Sequence, residues 1–148
     1  MELNSKISEE IAVLATINPV SQGAGTATSG WVSVSTYHRF LALIQTGVLG
    51  ASATVDAKIQ QAVDSSGTSA KDVTGKALTQ LVKASNDNNQ ALINLRVDEL
   101  DTANGFDYIQ LSVTVGTAAS LISAALLATC RFDPASGSNQ AGVVQVVG

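Results

Sequence analysis

The residues able to do chemistry in this chain are few and widely spaced. His38 is the only histidine and Cys130 the only cysteine. A serine hydrolase would use His38 as its base, yet no Gly-x-Ser-x-Gly elbow accompanies it, and nothing announces the partners that would orient the imidazole. One His and one Cys leave a metal dependent on carboxylates alone, which is poor zinc chemistry. The clustered acids Asp98, Glu99 and Asp101 lack EF-hand spacing and read as a solvated strand end. Gly23 and Gly25 are not followed by the third glycine of a dinucleotide loop, and Gly75-Lys76 lacks the rest of a P-loop. Cys130 sits in an apolar run and reads as a buried, inert thiol. These residues predict no catalytic residues, no cofactor and no metal: the chain is expected not to be an enzyme.

Aromatic residues are the other candidates. Trp31, Tyr37 and Phe40 would suit a sugar-stacking platform, but aromatic side chains more often serve cores and interfaces. Trp31, Tyr37, Phe40 and Tyr108 are therefore the candidate interface residues.

Composition narrows the classes further. The 148 residues are the length of one ordinary domain, able to bury a core without disulfide or metal. Charged residues make up only 14%, and Ser, Thr, Asn, Gln, Ala and Gly take their place, as suits β-structure and a life packed in an assembly. The net charge of −4, with scattered basic residues, argues against a nucleic-acid partner. Residues 108–130 carry no charge, but scattered polar groups and strand-like alternation argue against a membrane span. The first residues lack a basic segment and an apolar core, so no signal peptide is expected and folding should occur in the host cytoplasm.

The elements that must carry these residues follow from periodicity. From Phe106 to Val115, Ile109, Leu111, Val113 and Val115 alternate with polar residues, the signature of a half-buried strand. Leu121–Phe132 is a second apolar segment, and the two are expected to form an antiparallel ribbon. The Ala and Leu content of Leu121–Thr129 also suits a helix. Ile11–Ile17 reads as a strand ended by Asn18-Pro19, and Ser21–Gly30 as a flexible loop. Trp31–Ser35 alternates. Tyr37–Thr46 is apolar on both faces, as in the middle of a sandwich or in an interface. Val55–Val63 fits both periods and is assigned to strand. Ser69–Gly75 is expected to be a turn or a single helical turn, and Lys76–Lys83 a short strand. After the Asn86–Gln90 turn, Ala91–Glu99 is expected to pair with Phe106–Val115 through an Asn104-Gly105 hairpin. Asp133–Asn139 reads as loop and Val143–Val147 as an edge strand or arm.

Together this predicts an all-β fold: an antiparallel β-sandwich or jelly-roll-like barrel of seven to eight short strands. The expected division is an N-terminal arm over 1–10, the sandwich over 11–134, and a C-terminal arm or edge strand over 135–148.

Several phrases carry a family resemblance: Gly30-Trp31-Val32-Ser33, Tyr37-His38-Arg39-Phe40, residues 55–62, Asn94-Leu95-Arg96 and residues 101–108. Across residues 30–134 the chain resembles small proteins encoded near the major capsid gene in tailed bacteriophages and prophages. The resemblance implies a head-decoration, or cement, protein. Such proteins are compact jelly-roll or β-tulip domains that bind the outer capsid surface and brace neighbouring capsid subunits. It implies the major capsid protein as partner, location in the virion, and a homo-oligomer such as a dimer or trimer. The alternatives are a tail or neck component and a carbohydrate-binding β-sandwich.

Overall fold

In a computed structural model the described residues are 4–131 and 135–148. They form ten strands: β1 (Ile11–Gln22), β2 (Gly25–Thr28), β3 (Val32–Ser33), β4 (Tyr37–Thr46), β5 (Thr54–Ala62), β6 (Lys71–Ala77), β7 (Leu81–Val82), β8 (Gln90–Arg96), β9 (Tyr108–Gly116) and β10 (Ser120–Cys130). One sheet has the order β1-β10-β4-β8. The other has the order β2-β9-β5-β6, with β3 also on β9 and β7 also on β5. Every pairing is antiparallel. The architecture is the expected sandwich. The barrel alternative is corrected, since the two sheets remain separate. The two-residue strands β3 and β7 help raise the count above the expected seven to eight.

With β2 and β3 taken as one interrupted strand, the pairing is nested. β1 lies beside β10, β2 and β3 beside β9, β4 beside β8, and β5 beside β6. This is a long hairpin rolled into two sheets, the jelly-roll arrangement. It overturns two expectations. β9 and β10 do not form a ribbon, because they lie in different sheets. Their period-two apolar sets, Ile109, Leu111, Val113 and Val115 against Ile122, Ala124, Leu126 and Ala128, belong to one buried core. Facing each other across that core buries both sets, whereas a side-by-side ribbon would leave each in want of a cover. Likewise Asn104-Gly105 is not a β8–β9 hairpin. Gly105 is left-handed (φ 81°) and ends a 3-10 turn over Thr102–Asn104, on a connection that passes from one sheet to the other. Leu100 and Phe106 plug that connection into the interior.

Other boundaries move for local reasons. Asn18-Pro19 does not end β1: the register slips between Ile17 and Val20, so the proline sits in a bulge on an edge strand. The expected loop at Ser21–Gly30 instead completes β1 and forms β2, whose Thr26 hydroxyl lies 2.8 Å from that of Thr114. The turn expected at Ser69–Gly75 is mostly β6, which buries Val73. Only Leu81–Val82 of Lys76–Lys83 forms the separate strand β7. β5 and β10 are strands, which resolves the helix alternatives. The loop expected over Asp133–Asn139 lies partly outside the described residues. The described Val143–Val147 stretch joins no sheet.

Candidate functional site: the open face of the four-stranded sheet

Side chains alternate across a pleated strand, so each strand of the four-stranded sheet has a core side and an outer side. Phe40, Ala42 and Ile44 of β4, Ile93 and Leu95 of β8, and Ile122 to Ala128 at every second position of β10 point into the core. The intervening residues face outward, and they are not the polar set that a solvated face carries. Leu41 and Leu43 of β4, and Ala125 and Leu127 of β10, are half-buried, while Leu92 of β8 is 55% exposed. This is why Tyr37–Thr46 reads as apolar on both faces: one face is core, and the other has no second layer over it among the described residues.

Strand register aligns these residues into two rows. Val13, Leu127, Leu41 and Asn94 run across β1, β10, β4 and β8. Beside them run Thr16, Ala125, Leu43 and Leu92. Polar residues close both ends: Gln45 with Ser123 and Gln90 at one, Arg39 with Thr129 and Arg96 at the other. An apolar centre within a polar rim is the anatomy of a protein-binding patch. The surface is scooped rather than deep. A hollow of about 130 Å³ lies over Ile11, Leu41, Leu127 and Thr129, and one of about 580 Å³ lies at the far end near Pro19, Gln45, Gly47 and Leu121. The Thr129 hydroxyl beside the first hollow is buried and has no hydrogen-bond partner among the described residues.

Charge is divided between the two sheets. Four of the five lysines are paired on or beside the other sheet: Lys58 with Asp72, Lys71 with Asp101, Lys76 with Glu99, and Lys83 with Asp87. These lysines, as first cause, hold all four carboxyls below their ordinary range. Asp64 is lowered too, by Thr68 first and then by backbone N–H groups of its own turn. The arginines are elsewhere. All three, Arg39, Arg96 and Arg131, gather at one end of the four-stranded sheet, where Arg131 donates to the Tyr37 carbonyl at 2.8 Å. Arg96 has an exposed partner in Asp98 at 3.1 Å. The acids expected at a strand end are thus ion-pair and turn partners. Among the described residues, no group of three His, Cys, Asp or Glu is placed to hold a metal.

The aromatic candidates do not converge. Phe40 is 3% exposed and belongs to the core, so its assignment to an interface is corrected: its position on β4 points inward. Tyr37 packs edge-on against it with centroids 5.9 Å apart. Trp31 lies on the other sheet's side of the molecule, against Gly67, and Tyr108 begins β9 opposite Ser33. None of the four occupies the two outer rows. Those rows are aliphatic except for Asn94 and Thr16 at their ends, and their signal in the sequence is the run Phe40-Leu41-Ala42-Leu43-Ile44 together with Ala124–Leu127. His38 is exposed at the arginine end, and Cys130 is half-buried opposite Tyr37. No helix among the described residues is long and apolar enough to cross a membrane.

The fold and this open face define a jelly-roll β-sandwich with one sheet left uncovered among the described residues. No family model matches the chain, and no curated protein matches it by sequence. Solved structures align with the chain at low identity and with TM-scores below 0.5. The SPBc2 prophage-derived protein YomS aligns with 80% of this chain and 92% of its own, at 9% identity and a TM-score of 0.46. A Triatoma virus structure aligns over 95% of this chain and 74% of its own, at 9% identity and a TM-score of 0.45. The N-terminal cellulose-binding domain of a Cellulomonas fimi β-1,4-glucanase aligns over 76% and 73%, at 13% identity and a TM-score of 0.38.

Proposed function

We propose that this chain is a non-enzymatic virion structural protein that binds the outer surface of a phage capsid and stabilises the head by bridging capsid subunits. The observation that carries the proposal is the aliphatic, rimmed outer face of the β1-β10-β4-β8 sheet. A monomer gains nothing from leaving Leu41, Leu43, Leu92 and Leu127 aligned toward water, whereas a docked protein does. The resemblance of residues 30–134 to capsid-associated proteins is the ground for proposing the major capsid protein as the partner. Shallow hollows suit a flat protein surface better than a small molecule, and many weak contacts repeated over a lattice supply avidity. A carbohydrate-binding role is less well supported, because the open face has no aromatic residue on which a sugar ring would stack.

The purified protein, mixed with expanded capsids, should cosediment with them and raise their melting temperature. Failure to bind capsids in every maturation state overturns the proposal. Density on a tail or neck in electron micrographs would relocate the protein within the virion and likewise exclude the capsid surface.

A further inference from the structure

Sheet edges expose unpaired backbone groups, and proteins usually blunt them. Three of the four edges here are blunted. β1 has two register slips and a proline, and residues 139–140 cover it: the Asn139 side chain accepts from the Val13 N–H at 2.8 Å, and Gln140 N–H donates to the Val13 carbonyl at 2.8 Å. β2 and β3 are two short pieces along β9. β6 has a register slip, a left-handed Gly75, and Lys71 and Lys76 drawn into ion pairs. β8 has none of these devices. It pairs with β4 over seven consecutive residues without a slip, contains no proline, and carries one charge, Arg96, at its end. β6 of the other sheet approaches β8, but among the described residues no other element hydrogen-bonds to the backbone of residues 91–95 on the side away from β4.

The same chain holds a strand without a sheet. Val143-Val144-Gln145-Val146-Val147 is uncharged and β-branched, the composition with the strongest strand preference. Yet it joins no ladder, and Val144 is 92% exposed. It cannot reach its own β8. Gln140 is tied to the outer side of β1, at the opposite edge of the sheet. From there to a slot outside β8 is five inter-strand spacings, about 24 Å at about 4.8 Å each. The three residues from Gln140 to Val143 span at most about 11 Å.

We infer that Val143–Val147 of one copy adds as an extra strand to the free β8 edge of a second copy. The donor puts valines on both faces of the pleat, Val144 and Val146 on one and Val143 and Val147 flanking Gln145 on the other, so both Leu92 and Ile93 can be given valine neighbours. No charge is buried, since the only charged residue of β8 lies beyond the span. Reciprocal exchange closes a dimer, and head-to-tail exchange closes a small ring. The inference does not depend on capsid binding, and its test uses the protein alone.

Sedimentation of the full chain over a range of concentrations should show association. Val144→Pro with Val146→Pro, in the exposed tail where the fold is not at stake, should weaken it about tenfold or more, as expected for lost ladder hydrogen bonds. Leu92→Lys, on the exposed side of β8, should do the same. Hydrogen exchange should show amides of residues 91–95 and 143–147 becoming protected together as association proceeds. A full chain that stays monomeric, association indifferent to the prolines, or association that responds to the prolines but leaves residues 91–95 unprotected would each overturn the inference.

Discussion

Arg39 and Arg96 stand directly opposite one another across β4 and β8. Like charges facing across a ladder oppose the pairing they sit on. The exposed Asp98 beside Arg96 offsets little of this, since surface pairs of that kind contribute at most about 1 kcal/mol. Arg39→Gln should therefore raise stability by a few tenths of a kcal/mol, and at most about 1 kcal/mol. The gain should shrink as salt is added, because both groups are solvent-exposed. Urea midpoints at low and high ionic strength check this, and a midpoint that falls at low salt contradicts it.

The two sides of β4 should respond differently to truncation. Ile44→Ala removes a fully buried side chain and should cost about 2–5 kcal/mol, read from denaturant midpoints. Leu43→Ser, one residue away on the half-buried outer side, should cost only about 1 kcal/mol by the area it covers. It should nevertheless abolish capsid retention. Equal losses of stability at the two positions would mean that the outer row is already covered.

Much of this was legible in the sequence, and the failures share one cause. Period-two alternation locates β8 and β9, continuous apolar runs locate β4 and β10, and β5, which fits both periods, is assigned from its neighbours. What alternation cannot show is which strand sits beside which. The local preference of Asn104-Gly105 predicts a hairpin, and Gly105 does adopt the left-handed turn. Its neighbours Leu100 and Phe106, however, anchor a crossing between sheets. In a rolled hairpin most partners are distant in sequence: Ile11 meets Thr129 and Gly25 meets Val115. β2 has no apolar alternation and is a strand because β9 offers it an edge. The open face of the four-stranded sheet was half visible, as the double-sided apolarity of Tyr37–Thr46. Aromatic residues drew attention to Trp31 and Phe40 instead, which pack against Gly67 and the core.

Gly67 is left-handed at φ 81°, and a Cβ there would come within 2.5 Å of Trp31 Nε1. Gly67→Ala should combine backbone strain of about 1–3 kcal/mol with displacement of the indole. Trp31 is the only tryptophan, so its emission reports the displacement without interference. A lowered midpoint together with a shift in emission is expected. Unchanged emission would place the indole away from Gly67.

Asp101, Asp87, Asp72, Glu99 and Asp64 all have folded pKa values below their ordinary range. A carboxyl lowered on folding binds protons more readily when unfolded, so it stabilises the fold at pH above its unfolded value, about 4. That contribution disappears as pH falls through the folded values. Thermal stability should hold from neutral pH to about 5 and fall below 4. Asp101→Asn, which removes the carboxylate partner of Lys71, should make the decline shallower. Stability that rises below pH 4 would contradict the ion-pair geometry.

The most direct test of the docking face is calorimetry of expanded capsids with three proteins: the natural chain, Leu43→Ser with Leu127→Ser, and Arg39→Gln. The natural chain should delay shell melting, and the leucine variant, still folded by circular dichroism, should leave the shell at its undecorated temperature. A leucine variant that protects the shell as well as the natural chain would show that the capsid is held by some other surface.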